Sequence, residues 1–318
     1  MVKLKAVPED FIVGEVPARE WSRDGPYLVL KVTKRNRNSE DVAAQVAKAF
    51  GKPRKAVGYA GSKDRHAVTS QFMSVRGGSA KHLDNISIDN VSLEAVGRTK
   101  EPISLGDLEG NSFRITVRDL EKKPHHRELV PNLFGEQRFG RNNADVGRAI
   151  LQRDFAEACV LTDDQRVFDF LERSPGDHVS ALRQLPRKQL MMYVHAYQSL
   201  LFNKKLRELV KESPLEDLER VSLPLVGFDT EDDIYDSLLE ADGLSKRSFV
   251  IKELPDATCE GTSREAVIRV EDLVIGDLEE DELNPGRKKC VVSFSLSKGS
   301  YATVVLDYLL WEILSSEA

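Results

Sequence analysis

The chain has 318 residues, a length that fits one large domain or two domains of medium size. Hydrophobic residues make up 41% and charged residues 31%, which is enough apolar material for a folded core and excludes a wholly disordered chain. The formal net charge of −6, taken alone, argues against nucleic acid as a partner, because nucleic-acid-binding domains are usually basic.

The N-terminal third of the sequence predicts strands and one helix. Residues 27–32 form a mostly aliphatic run that is typical of a buried strand. Ser39 has the character of a helix N-cap, and acidic and then apolar residues follow it at helical spacing. Short strands are predicted at 57–60 and 71–75, and the turn-like loop between them contains Asp64.

The rest of the chain changes from strand to helix and back to strand. Strands are predicted at 91–93 and 113–117, and helical spacing dominates from about 145 to 210. A strand returns at 290–296, and an apolar helix is predicted at about 302–314. This order predicts an α+β fold with a largely antiparallel sheet, interrupted by an insertion and completed by the C-terminal residues.

The charge is distributed unevenly along the chain. Residues 31–65 contain ten basic and three acidic residues, a local net charge of +7. Residues 212–242 carry a net charge of −10, and residues 271–283 carry −7. A basic segment can bind a phosphate backbone or can simply be a solvated face, so the overall charge does not exclude an RNA-binding surface.

Two other sequence features limit the class of protein. The three cysteines, Cys159, Cys259 and Cys290, are odd in number and far apart, which argues against a disulfide framework or a structural zinc site. We therefore expect buried thiols. No apolar run reaches the length of a membrane span, and the N-terminus has no signal-peptide core, so we expect a cytoplasmic protein without a membrane partner.

Three segments contain residues that could carry chemistry. Asp64 lies between two cations after a short strand, so it could be a nucleophile or general base, or it could cap the turn or pair with Arg65. In residues 131–140, Phe134 could stack on a base and Asn132 could hydrogen-bond its edge, or the aromatic residues could anchor the loop to the core. Tyr301 is predicted at a helix start, where it could line a pocket or belong to a capped junction.

Taken together, six segments resemble motifs of the TruD family of tRNA pseudouridine synthases. They follow the family order over nearly the whole chain. The matches are K-x-x-P-E-D-F at 5–11, AGxKD(R/K)xAxTxQ at 60–71, LGxLxGN at 105–111, PNxFGxQRFG at 131–140, AxxSxLFN at 196–203 and GS(F/Y)AT at 299–303.

The resemblance implies conversion of a specific uridine, at position 13 of certain tRNAs, to pseudouridine. It implies that Asp64 is the catalytic aspartate, and that it attacks C1′ of the ribose or removes a proton from C2′. It implies further site residues that bind the substrate, with Lys5 a charge partner of the aspartate: Lys5, Phe11, Asn132, Phe134 and Tyr301. The reaction replaces one glycosidic bond by another and requires no metal or organic cofactor.

The resemblance also implies a domain organisation and a partner. Residues 1–157 and 270–318 would form a discontinuous, pseudouridine-synthase-like catalytic domain, and 158–269 an inserted TRUD domain. The partner would be tRNA, and we expect a monomer with no obligatory protein partner. Within the basic segment, five residues are expected to contact the RNA backbone: Lys34, Arg35, Arg37, Lys63 and Arg65.

Two alternative functions remain open at this point. The same scaffold could be a non-catalytic RNA-binding or RNA-chaperone protein, which would form no pseudouridine. A glycosidase that acts on nucleosides would instead release free uracil.

Overall fold

The computed structural model of the chain describes residues 2–310. They fold into two compact units: the first combines the chain up to Glu128 with the chain from Val270, and the second is Leu129–Arg269. Residues 129–157, which were expected in the catalytic domain, pack within the second unit. The roles assigned to 1–157 with 270–318 and to 158–269 stay predictions.

Strands and helices are numbered here in chain order. The strands are β1 (Phe11–Pro17), β2 (Tyr27–Arg35), β3 (Val57–Tyr59), β4 (Val68–Arg76), β5 (Val91–Thr99), β6 (Leu108–Leu120), β7 (Leu129–Pro131), β8 (Ser222–Leu225), β9 (Thr262–Glu265), β10 (Val267–Arg269), β11 (Glu271–Ile275), β12 (Glu279–Glu280) and β13 (Lys288–Ser297). The α-helices are α1 (Ser39–Ala49), α2 (Glu136–Phe139), α3 (Asn143–Gln152), α4 (Phe155–Leu161), α5 (Gln165–Arg173), α6 (His178–Leu182), α7 (Arg187–Glu212), α8 (Leu215–Leu218), α9 (Asp236–Ala241) and α10 (Ala302–Leu309). Short 3₁₀ helices lie at Pro8–Asp10, Arg54–Ala56, Ala80–Asn85, Lys246–Phe249 and Pro255–Ala257.

A single large sheet organises the first unit. Within the described residues it has nine strands in the order β11-β13-β6-β1-β4-β2-β5, with β12 paired to β13 and β3 paired to β4. The β1–β4 pair is parallel, and the other pairs of this sheet are antiparallel. The predicted α+β class with a largely antiparallel sheet is therefore confirmed, and each predicted strand overlaps an observed one.

Helix α1 covers one face of this sheet. Val42 and Val46 are completely buried at helical spacing, and they pack with the inward side chains of β2 and β4. The predicted N-cap was wrong by one residue: the side chain of Asn38 accepts the hydrogen bond from the Glu40 backbone N–H at 2.9 Å. The buried hydroxyl of Ser39 is instead used in the loop described below.

A buried arginine fixes the segment that leads into β1. The side chain of Arg118 on β6 is 6% exposed and forms ion pairs with Asp10 at 2.9 Å and with Asp281 at 2.8 Å. Asp10 also accepts a hydrogen bond from the Val7 backbone N–H. The Pro8–Asp10 turn is therefore tied both to its own chain and to β6, because unpaired carboxylates at this depth would be costly.

The second unit is mainly helical, and the long helix α7 forms the centre of its core with α3. The two helices approach closely at Gly147, where a Cβ atom would lie 2.1 Å from the carbonyl oxygen of Tyr193, so this position requires glycine. Cys159 and Cys259 belong to the same core, and burial raises the pKa of each thiol to about 11.

Two further predictions, the C-terminal helix and the lack of a membrane span, can be compared with the structure. The predicted helix at about 302–314 begins as α10, and its residues 311–314 lie outside the described residues. Among residues 2–310, none of the helices has both the length and the apolar composition of a membrane span.

Candidate functional site

The parallel strand pair brings two of the sequence motifs together. Ile12 pairs with Val68, so the start of β1 lies beside the start of β4. The chain before β1 and the loop before β4, residues 60–67, therefore meet at the same end of the sheet. There the Nζ atom of Lys5 lies 3.4 Å from Oδ1 of Asp64. We call residues 60–67 the Asp64 loop.

The Asp64 carboxylate is accessible, and Lys5 is held beside it by several contacts. The Asp64 side chain is 34% exposed and that of Lys5 is 20% exposed. The Lys5 ammonium lies 4.0 Å from the centre of the Phe11 ring, and its carbonyl oxygen accepts a hydrogen bond of 3.0 Å from Nε2 of His66. Lys5 has a φ of 57°, a backbone conformation that non-glycine residues adopt rarely and mostly at constrained sites.

Phe11 supports this lysine from the core. The residue is 2% exposed, its ring meets Phe113 edge-on at 6.2 Å, and Phe113 stacks on Phe294 at 5.3 Å. The ring face of Phe11 is covered by the Lys5 ammonium, and its contact with substrate stays a prediction.

The backbone of the Asp64 loop is fixed by polar side chains from α1 and β4. The Ser39 hydroxyl donates to Oε1 of Gln71 at 2.7 Å and accepts from the Lys63 backbone N–H at 3.0 Å. The amide of Gln71 donates to the Gly61 carbonyl oxygen at 3.1 Å. Ser39 and Gln71 are both buried, so these bonds are shielded from water and hold the loop against the sheet.

Lys63 was expected to contact the RNA backbone, and the structure shows what its side chain contacts within the protein. Its ammonium lies 2.8 Å from Oε2 of Glu15, and the two side chains are 7% and 1% exposed. The other oxygen of Glu15 accepts from the Phe72 backbone N–H at 3.1 Å. Lys63 therefore forms a buried ion pair under the Asp64 loop, and its contact with RNA stays a prediction.

Lys34 was also expected to contact RNA; that contact stays a prediction, and the structure shows its side chain bound within the protein. The residue has no exposed surface, and its Nζ atom donates to the main-chain carbonyl oxygens of Arg37 at 2.7 Å, Asp64 at 2.8 Å and Lys63 at 3.3 Å. Burial lowers the pKa of Lys34 to about 8, against the opposing attraction of Asp64.

The three arginines of the predicted RNA-contact set lie nearer the surface. Arg35 is exposed and forms an ion pair with Glu9, and Arg37 donates to the Asp89 carbonyl oxygen at 2.7 Å. Arg65 is exposed on the Asp64 loop. Contacts of these three residues with RNA stay predictions.

Tyr301 lies in the first unit, at the start of α10 as predicted. It is the residue before the first turn, it is half-buried, and its carbonyl oxygen accepts from the Val305 backbone N–H at 3.2 Å. Its contact with substrate stays a prediction.

Asn132 and Phe134 belong to the second unit, and Asn132 forms several hydrogen bonds within the protein. Asn132 is 6% exposed, and its amide donates to the Glu265 carbonyl oxygen at 3.0 Å. Its side-chain oxygen accepts from Arg264, which also donates to the Asn132 carbonyl oxygen at 2.9 Å. These bonds fix the orientation of the Asn132 amide and use one of its donor and one of its acceptor positions, so its hydrogen bond to a base edge stays a prediction.

The Phe134 ring is covered by cations. The guanidinium carbon of Arg264 lies 4.2 Å from the ring centre and that of Arg138 lies 5.6 Å from it, while Phe202 meets the ring edge-on at 5.5 Å. The Asn203 side chain bonds both the N–H and the carbonyl oxygen of Phe134, at 2.8 and 2.9 Å. The 196–203 motif on α7 thus positions the 131–140 motif.

Comparison with known proteins gives the family. The family model described as "tRNA pseudouridine synthase D (TruD)" matches residues 1–162, 160–220 and 218–308. The chain belongs to the TruD family.

Similar proteins of this family span nearly the whole chain. A "Probable tRNA pseudouridine synthase D" of Methanosarcina acetivorans is 30% identical, with 96% of this chain and 91% of that protein covered. Another, of Thermococcus gammatolerans, is 30% identical with 97% and 94% covered. The crystal structure of a candidate TruD protein from Methanosarcina mazei is 27% identical with a TM-score of 0.79, covering 96% of this chain and 92% of that one. The predicted family and the pseudouridine-synthase-like fold are therefore confirmed.

Several residues that build the site were not identified from the TruD motifs. Glu15 could have been found, because Phe11, Val13 and Glu15 alternate along β1 and the strand therefore turns a carboxylate inward. Arg264 had no such signal. It is a single arginine on β9, far in sequence from the Asn132 and Phe134 that it contacts.

Proposed function

We propose that this chain, as a tRNA pseudouridine synthase of the TruD family, isomerises a uridine of tRNA to pseudouridine, and that Asp64 is its catalytic carboxylate. The observation that carries the proposal is the accessible carboxylate of Asp64 with the Lys5 ammonium 3.4 Å away, on a loop fixed from below. We further propose position 13 of certain tRNAs as the target.

The chemistry requires one carboxylate and no co-reactant. The bond between C1′ and N1 breaks, the uracil turns, and C1′ joins C5; C5 loses a hydrogen and N1 gains one, so the atoms balance. C1′ is electron-poor while the bond is broken, and a carboxylate can capture or stabilise it, as in glycoside cleavage. The alternative route, in which Asp64 removes a proton from C2′, uses the same carboxylate. Lys5 orients this carboxylate by charge attraction in either route.

The substrate uridine must leave the base stack before it can reach a carboxylate at the end of a sheet. We propose that Tyr301 and the cation-covered ring of Phe134 contribute surfaces on which nucleotides stack. Phosphate contacts are assigned to exposed cations such as Arg65, so tRNA binding should weaken as salt concentration rises. We also propose that the protein acts in the cytoplasm as a monomer, without an obligatory protein partner.

The test is pseudouridine mapping in tRNA treated with wild-type protein and with Asp64→Asn. The variant should form no pseudouridine and should still bind tRNA, because the amide keeps the shape of the carboxylate and loses only its charge. Asp84→Asn, an exposed aspartate of the same unit, is the matched control and should be fully active. Lys5→Met should slow the reaction at saturating tRNA.

Each of the other outcomes has a defined meaning. Pseudouridine formation by Asp64→Asn would refute the role of Asp64. Free uracil released by the wild-type protein would indicate a glycosidase, and bound tRNA that stays unchanged would indicate a non-catalytic RNA-binding protein. Modification at a site other than position 13 would refute the proposed target but not the reaction.

A further inference from the structure

The geometry points to Lys34 as the positioning residue of the proposed catalytic loop: its buried ammonium holds the main chain at Lys63 and Asp64, so that the Asp64 carboxylate faces its substrate. This inference rests on the proposed function of Asp64. It assigns no contact between Lys34 and the substrate.

The bonds of Lys34 connect three parts of the chain. Its Nζ atom donates to Asp64 and Lys63 in the loop, at 2.8 and 3.3 Å, and to Arg37, at 2.7 Å, where β2 leads into α1. Three carbonyl oxygens use all three N–H groups of the ammonium. Lys34 thereby closes the loop onto the end of β2.

Burying the Lys34 ammonium costs free energy of folding. An ammonium with no exposed surface loses its hydration, and neutral carbonyl oxygens offset that loss only in part. The charged groups that face Lys34 are Asp64, which attracts it, and Lys63, which repels it. On the neighbouring strands its partners in the register are the uncharged Thr69 and Val91. A methionine would fill the same space without a charge, so the charge itself is what serves the loop.

If the charge of Lys34 holds the loop, activity and stability should depend on pH in opposite directions. The pKa of Lys34 is lowered to about 8 in the folded chain, whereas an unfolded lysine keeps its proton to about 10.5. Between about pH 8 and about pH 10.5, Lys34 is protonated in the unfolded chain and largely neutral in the folded chain. The contribution of Lys34 to the free energy of unfolding therefore increases as pH rises through this range. Over the same range the ammonium that holds the loop disappears. Activity should therefore fall with rising pH while the contribution of Lys34 to stability increases.

The experiment compares Lys34→Met with Lys31→Met, an exposed lysine on the same strand, in two assays. In single-turnover pseudouridine formation at saturating tRNA, Lys34→Met should be slower by up to about 100-fold, as for a displaced catalytic group, with its Kd for tRNA unchanged. Lys31→Met should match the wild-type protein. The fall in wild-type rate above about pH 8 should be absent from Lys34→Met.

The second assay is tryptic cleavage after Arg65, which is exposed on the loop and reports its opening. Cleavage should be faster in Lys34→Met than in Lys31→Met. Equal rates in both assays would overturn the role of Lys34 and leave the proposed function intact. If the wild-type protein forms no pseudouridine, the proposed function fails, and the cleavage comparison still decides whether Lys34 holds the loop.

If Lys34→Met does not fold, the wild-type protein provides the answer. Its cleavage after Arg65, normalised to a denatured sample, should accelerate from about pH 7 to about pH 9. A rate that stays constant over this range would overturn the inference.

Discussion

The buried ion pair between Lys63 and Glu15 allows a quantitative test of how the Asp64 loop is held. Lys63→Met removes the cation and leaves the Glu15 carboxylate, which is 1% exposed, with the Phe72 backbone N–H as a donor. At 2.8 Å the lost attraction is about 6 kcal/mol for an effective dielectric constant of about 20. Part of this attraction offsets the dehydration of both ions. The expected loss in free energy of unfolding is therefore about 3–5 kcal/mol.

The assay is urea denaturation at neutral pH followed by circular dichroism, in which the midpoint should fall without a change in slope. Lys55→Met, an exposed lysine of the same basic segment, is the control and should stay within about 0.5 kcal/mol of the wild-type protein. The double variant Glu15→Gln/Lys63→Met should be more stable than Lys63→Met alone, because a neutral amide removes the uncompensated buried charge and keeps an acceptor for Phe72.

Two results would refute this reasoning. If Lys63→Met were as stable as Lys55→Met, the carboxylate would have to find another partner or reach water. If the double variant were no more stable than Lys63→Met, the loss would come from the packing of the Lys63 side chain and not from the unpaired charge of Glu15.

Two further predictions concern the second unit. Arg264→Met should lower its free energy of unfolding by about 1–3 kcal/mol, since Asn132 loses its donors; urea denaturation measures this, and a wild-type midpoint would contradict it. Asp164 caps α5, and its hydrogen bond from Arg166 lowers its pKa to about 2. Asp164→Ala should therefore cost about 1 kcal/mol near neutral pH, a difference that disappears as pH falls through about 4 to 2 because the cap becomes protonated. A difference that persists in acid would show that the charge is not what stabilises the cap.

Local sequence patterns predicted many strands and helices of this protein, its family and two residues of its candidate site. The aliphatic run at 27–32 lies in β2, and the helical spacing from 145 to 210 lies in helices that include α3 and α7, because burial on one face imposes these periods on the sequence. The order of the six motifs indicated the TruD family, and the family comparison confirmed it. The motifs also contained Lys5 and Asp64, which the structure places 3.4 Å apart.

The tertiary structure alone decided which charged residues face water. In the basic segment 31–65, a lysine at position 34 or 63 looks the same as one at 31, yet Lys34 and Lys63 are buried and Lys31 is exposed. The difference arises because Glu15 and the carbonyl oxygens of the Asp64 loop are brought to these two side chains by strand pairing between distant parts of the chain. Arg264 reaches Asn132 and Phe134 in the same way, from more than a hundred residues away. Partners that distant leave no periodic signal in the sequence, so the sequence supplied the residues of the candidate site and the fold assigned their contacts.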